Sequence, residues 1–450
     1  MRDALGQKVL CSGVLMFEEN NSKTASGSKT KKRIPIFSIS LVACYLVVAA
    51  LFFMYGFGEG RAGREAPEEP EIAATPTPTP TPDIEEPTEP ERIPLPPAVE
   101  VKGVWVGAWH AIDEARMANF IDLAETTEIN ALVLDIKEEH GYVTMPIVNG
   151  EYPVNQSVLM DNMGELVEDM KSRGIYTIAR IVCFKDSRWA SRNPHLALRD
   201  AAGNQWTDRS GVGWLNPYER DNWDYIAELC HEAAKLGFEE IQLDYVRFPA
   251  DGNLSAIHYG AAGEAQTRAE VIAEFMEFIR DKMLEVGVRT TADVFGIIAL
   301  SNNDAQIIGQ DLDLLLPAVH AISPMIYPSH FSNIRQNGVG QRIDGVLFEK
   351  PDTEPYLVVY HTLQHFIRRL DPGNPNQAII RPYLQDFTAA YLGQYEEEDL
   401  FLTYGPEEVR AQIQAVYDAG LKEWILWSNV SRYNEEAFRN PDAFQYTHEP

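Results

Sequence analysis

The sequence predicts an α/β fold, a (β/α)8 barrel. Eight strand-like runs alternate with seven amphipathic helical stretches between positions 101 and 429. Several helical stretches close on glycine just before the next strand, as in Arg173-Gly174, Leu236-Gly237, Val286-Gly287 and Ala419-Gly420. Glycine there takes the left-handed turn that ends a helix. The strands also finish in charged and aromatic residues, which is where such a barrel presents its chemistry. An open doubly wound sheet is disfavoured, because no Gly-rich phosphate turn follows the first strand.

The predicted strands are 101–110, 131–137, 176–184, 239–248, 289–296, 320–328, 379–387 and 423–429. Each is rich in Val, Ile, Leu and aromatics and is bounded by turn residues. The helices between them are 113–127, 161–173, 221–236, 264–286, 305–317, 355–370 and 407–419. One connection, 184–223, is long and carries Trp189, Trp206 and Trp214. A loop of that length in a compact domain is usually functional, and it leaves strand three at the catalytic face.

Ahead of the barrel (99–450) three segments are expected. Residues 1–33 are polar and end in Lys29, Lys31, Lys32 and Arg33. Residues 34–57 are apolar and uncharged, long enough to span a bilayer. The basic cluster before that run and the acidic stretch after it predict a single-pass signal-anchor, N-terminus in the cytoplasm and barrel outside the cell. A cleaved signal peptide is disfavoured because no A-x-A pattern follows. Leu41-Val42-Ala43-Cys44 has the letters of a lipobox, but the apolar run continues beyond Cys44. Residues 58–98 form a linker rich in Pro, Glu and Thr, with alternating Thr-Pro from Thr75 to Pro82. That composition predicts a disordered, extended spacer.

The 450 residues carry a net charge of −29, divided as +4 over 1–57, −8 over 58–100 and −25 over 101–450. Such an acidic barrel excludes nucleic acid as a partner, since phosphate binding needs a basic face. It suits a neutral or cationic polymer. The four cysteines, Cys11, Cys44, Cys183 and Cys230, form no disulfide framework. His361-Thr-Leu-Gln-His365 has the spacing of a zinc pair on a helix but lacks the Glu of HExxH. No metal or cofactor is expected.

Side chains alternate along a strand. In strand four Ile241 and Leu243 suit the helix side, which turns Gln242 and Asp244 inward. By the same rule Asp135 and Lys137 face inward from strand two, Arg180 from strand three and Asp293 from strand five. Ser323, Met325 and Tyr327 do so from strand six, Arg381, Tyr383 and Gln385 from strand seven, and Trp427 and Asn429 from strand eight. A purely structural ion-pair network such as Asp135–Lys137–Arg180 would use some of these residues. Their concentration near the strand ends predicts a site.

Paired carboxylates on neighbouring strands are the minimum for glycoside hydrolysis: one protonates the leaving oxygen, the other attacks carbon or activates water. Asp244 and Asp293 are the predicted catalytic pair, with Asp135 and Asp386 in reserve. Trp109, Asp135, Lys137, Arg180, Arg247, Tyr327, Arg381, Gln385 and Trp427 are the predicted substrate-binding set. Flat tryptophan rings match the mixed faces of pyranoses. The expected substrate is a polysaccharide of a cell wall, capsule or exopolysaccharide. The competing reading is a catalytically inactive barrel that binds polysaccharide and tethers or senses the cell envelope.

The segment 237–249, Gly-Phe-Glu-Glu-Ile-Gln-Leu-Asp-Tyr-Val-Arg-Phe-Pro, resembles the strand-four signature of the DUF4015 family of glycoside hydrolase domains. Further blocks are similar in order: Trp214 to Tyr218, Asp293 to Gly296, Ile308 to Asp311, Ser323 to Ser329, Ile380 to Phe387 and Trp424 to Trp427. The membrane anchor and low-complexity linker also look like bacterial members of that group. The resemblance implies a barrel related to amylase-like glycosidases, with the nucleophile on strand four and the acid/base on strand five, hence Asp244 and Asp293. Strand five ends here in Asp where amylase-like barrels have Glu, and strand four lacks their Arg-x-Asp pattern.

Overall fold

The computed structural model describes residues 93–147, 159–374, 376–394 and 400–444. Eight parallel strands form the barrel: β1 Lys102–Val106, β2 Ala131–Lys137, β3 Tyr176–Val182, β4 Glu240–Asp244, β5 Arg289–Phe295, β6 Ala321–Ile326, β7 and β8 Trp424–Trp427. β7 comes in two pieces, Ile379–Ile380 and Tyr383–Gln385. Each strand pairs with its successor, and β8 pairs back with β1 through Lys102↔Trp424 and Val104↔Leu426, so the barrel closes. β7 is divided at Arg381-Pro382, where proline has no N–H for the ladder. The Pro382 carbonyl still accepts from the Ile425 amide at 2.9 Å.

The main helices are α1 Glu114–Thr126, α2 Met163–Ser172, α3 Arg220–Lys235, α4 Arg268–Leu284, α5 Asn302–Ile308, α6 Pro355–Ile367 and α7 Pro406–Asp418. Strand alternation divides the core into two clusters. Leu132, Leu134, Ile241, Leu243, Ala292, Leu384 and Leu426 pack outward against the helices. Ala131, Val133, Ile178, Tyr327, Tyr383 and Ile425 fill the lumen. Fully burying one Leu or Ile side chain stabilises by about 1.5–3 kcal/mol, so a one-residue register slip would exchange two buried faces at once.

Element ends differ from expectation for local reasons. β1 stops at Val106, and a helical turn, Ala108–Ala111, carries Trp109. β4 stops at Asp244 because Tyr245 adopts φ 49°, a left-handed conformation that no strand contains. The predicted helix 264–286 begins in earnest at Arg268, where Thr267 and Glu270 form a capping box. The predicted helix 305–317 divides into α5 and a short turn, Leu312–Leu315, separated by Gly309 at φ 78°. A Cβ on Gly309 would lie 2.7 Å from the Arg268 carbonyl oxygen.

The predicted span 34–57 and most of the linker lie outside the described residues. Among the described residues no helix is long and apolar enough to cross a membrane. The last stretch of the predicted linker, 93–98, belongs with the barrel: the Pro96 carbonyl accepts from Arg289 Nη2 at 2.5 Å.

Candidate active site

Four charged side chains meet inside the barrel at the C-terminal ends of β2, β3, β4 and β5. Asp135, Arg180, Asp244 and Asp293 are all buried. Arg180 is the hub. Its Nη1 donates to Asp135 Oδ1 at 2.5 Å, and its Nε donates to Asp244 Oδ2 at 3.0 Å. Its Nη2 donates to the same Asp244 oxygen, and its Nε lies 3.9 Å from Asp293 Oδ2. One guanidinium nitrogen therefore reaches both Asp244 and Asp293. Their Oδ2 atoms are separated by no more than the two reaches combined, about 7 Å.

The three carboxyls have different environments. Asp244 accepts from Arg180 through Oδ2 and from the Tyr245 amide through Oδ1 at 2.5 Å. Asp293 is the opposite case. Its Oδ1 is buried with no hydrogen-bond partner, and burial together with the nearby Asp244 charge pushes its carboxyl well above the ordinary range. Asp135 is the third case. Burial raises it to about 6 against the pull of Arg180 and of Trp105, whose Nε1 donates to Oδ1 at 2.9 Å.

Aromatic rings surround this cluster. Trp427 stacks on Tyr327 at 5.4 Å, tilts against Trp105 at 5.8 Å and meets Phe387 edge-on at 5.3 Å. Arg180 Cζ lies 5.9 Å from the Trp105 ring centre. On the rim, Trp109 is 57% exposed and touches Tyr142, ring centres 5.9 Å apart. Arg247 lies past the end of β4, its guanidinium over Tyr245, Trp214 and Phe295. Tyr245 holds its left-handed backbone between Asp244 and Arg247. A non-glycine residue there costs about 1–3 kcal/mol and persists only where its surroundings enforce it.

The structure sets three predicted site residues apart. Lys137 does not face the lumen. The β2–β3 register shifts between Asp135 and Lys137, so Lys137 aligns with the outward-facing Ile181. Its ammonium is fully buried, 3.0 Å from Asp186 Oδ2 and 2.6 Å from the Val182 carbonyl oxygen. Arg381 faces inward but at the opposite end of the barrel. It joins Glu240, the first residue of β4, at 2.6 Å and Glu423 at 2.7 Å. Gln385 is buried and committed: it accepts from Ser329 Oγ at 2.8 Å and donates to Asp352 at 2.9 Å and to the Phe387 carbonyl at 3.0 Å. The reserve carboxylate Asp386 turns away and accepts from the Asn434 amide at 3.0 Å. Trp189, Trp206 and Trp214 are core residues rather than a cleft wall.

Some site features escape the sequence. Tyr245 is one, since nothing local announces φ 49°. Glu139 is another: half-buried just beyond β2, its charge bears on Asp135, Lys185 and Tyr245. Its place in a loop leaving a strand end was the available signal. Among the described residues no group of three or more His, Cys, Asp or Glu has the arrangement of a metal site.

Residues 103–433 match the family described as "Putative glycosyl hydrolase domain", DUF4015. No curated protein sequence matches. A hypothetical protein from Ruminiclostridium thermocellum ATCC 27405 is 33% identical, over 42% of this chain and 97% of that one, with a TM-score of 0.38. The PgaB (BpsB) glycoside hydrolase domain of Bordetella bronchiseptica is 13% identical, over 74% and 94% of the two chains, with a TM-score of 0.49. The α-galactosidase TtGalA of Thermus thermophilus is 13% identical, over 79% and 61%, with a TM-score of 0.43. With the match running through all eight strands, the chain belongs to the DUF4015 glycosyl hydrolase domain family.

Proposed function

We propose that the protein hydrolyses glycosidic bonds of a polysaccharide outside the cell, with Asp293 as general acid and Asp244 as nucleophile or base. The observation that carries this reading is the unlike hydrogen bonding of two neighbouring carboxyls. Asp244 is surrounded by N–H donors and a guanidinium, whereas Asp293 has a bare buried oxygen and a raised pKa. A buried carboxyl pushed towards its protonated form, next to a carboxyl held by N–H donors, is the acid and partner a glycosidase needs. Asp293 would give its proton to the glycosidic oxygen as the C–O bond breaks. Asp244 would then bond to the anomeric carbon, or take a proton from the water that does. Trp105, Tyr327 and Trp427 offer apolar ring faces to the sugar, and Trp109 offers one on the rim. The basic residues before 34–57 and the length of that run support a membrane anchor, with the barrel facing a cell-wall, capsular or exopolysaccharide substrate.

One observation favours the competing reading, a barrel that binds polysaccharide without cleaving it. Arg180 clamps the Asp244 oxygen that would react. The deciding experiment screens the purified protein against envelope polysaccharides for reducing ends and for binding, beside Asp244→Asn and Asp293→Asn. Each substitution is expected to lower kcat by about 100-fold or more. Full activity in both variants would refute the assignment, and binding without any turnover would favour the silent barrel.

A further inference from the structure

Among the described residues Arg247 is a cation with no salt-bridge partner. Its side chain is buried, and its guanidinium carbon lies 4.4 Å from the Phe295 ring centre, 4.9 Å from that of Tyr245 and 5.1 Å from that of Trp214. Among the described residues one of its five N–H donors is engaged, by the Phe248 carbonyl at 2.9 Å. Among the described residues no carboxylate lies within salt-bridge distance of it.

The neighbouring carboxylates have other partners: Asp251, half-buried, accepts from the Arg209 amide at 3.1 Å. Asp244 is held by Arg180 and the Tyr245 amide. Asp208 accepts from the Ser210 and Val212 amides and from Trp214 Nε1, and it pairs with Lys185 at 3.4 Å. Lys185 in turn lies 4.9 Å from the Tyr245 ring centre, the same distance as Arg247. Two cations thus share one aromatic ring, directly after Asp244 and beside Phe295, two residues beyond Asp293. A buried charge needs a partner, and a planar guanidinium with free parallel donors fits a carboxylate in bidentate fashion.

We infer that Arg247 receives a carboxylate of the substrate, so that the sugar bound beside Asp244 and Asp293 is a uronic acid or another carboxylated sugar. The inference rests on the glycosidase reading for its substrate class, but not for its geometry. The acidic exterior is no obstacle: it repels a dense polyanion at long range, whereas one carboxylate per repeat meets the Arg247 guanidinium directly.

The test is calorimetric binding of methyl β-D-glucuronoside and methyl β-D-glucoside to the whole protein and to Arg247→Gln and Arg247→Lys. The wild type should favour the acid by about 10-fold or more, the range of a hydrogen bond to a charged group. Arg247→Gln should bring the two sugars to near-equal affinity, and Arg247→Lys should fall between. Equal affinities in the wild type, no binding of the acid at about 10 mM, or a preference that survives in Arg247→Gln would each overturn the inference. Cooperative melting checks that the variants fold, and the wild-type comparison decides alone if they do not. No bond is cleaved in this measurement. Carboxylate-selective binding with no hydrolysis would sink the glycosidase reading and keep this one; hydrolysis of neutral glycans with no acid preference would do the reverse.

Discussion

Replacing Arg180 with methionine would remove the cation that Asp135 and Asp244 share and leave two buried carboxylates side by side. Arg180 and its partners are all buried, so solvent screening does little. Breaking a buried pair from one side costs about 3–5 kcal/mol, because the charge left behind has no compensation. Over a domain of roughly 350 residues that is a fall of about 4–7 °C in Tm at pH 7. The loss should depend on pH, with a definite sign. In the variant both carboxyls would have folded pKa values above the unfolded value of about 3.9. Their penalty is present above that pKa and vanishes below it. Escape by protonation costs about 1.4 kcal/mol per carboxyl per pH unit, so at pH 4.5 the two together cost no more than about 2 kcal/mol. Thermal unfolding of wild type and Arg180→Met at pH 7 and pH 4.5 measures this. A variant that melts with the wild type at pH 7, or loses as much at pH 4.5 as at pH 7, would show that Arg180 is not the counter-ion described.

Two further outcomes follow from the same geometry. Asp135 titrates near 6 and Asp293 well above the carboxylate range, so activity should rise through about pH 6 as Asp135 ionises against Arg180. It should fall again at higher pH, as Asp293 loses its proton; Asp135→Asn should erase the acid limb, and an unchanged profile in that variant would break the link. Lys137→Met should cost about 3–5 kcal/mol of stability, since Lys137 and Asp186 are both fully buried, while KM of the folded protein stays put; a raised KM with unaltered Tm would return Lys137 to the binding site.

The barrel was legible because its signals are local and repeated. Hydrophobic alternation, helix periodicity and glycine stops recur through the chain, and each names an element without reference to the others. Alternation also turned Asp135, Arg180, Asp244 and Asp293 to one side of their strands. It misplaced Lys137, because a register shift in β2 reverses the parity on which the argument depends. It could not set depth either. Glu240, Gln242 and Asp244 share one face of β4, yet Glu240 joins Arg381 at the far end of the barrel and Asp244 lies at the mouth. Which layer an inward residue occupies depends on the stagger of strands far apart in sequence.

The sequence by itself determined the order of strands and helices, the match to a glycosyl hydrolase family and the two aspartates on neighbouring strands. Tertiary structure alone decided that these aspartates share one guanidinium and differ in hydrogen bonding. It also decided that Tyr245 turns the chain left-handed so that Arg247 ends among three aromatic rings. The reason is physical. Periodicity follows from backbone geometry, which every residue carries with it, whereas a carboxyl's charge state follows from burial and neighbours, which exist only once the barrel has closed.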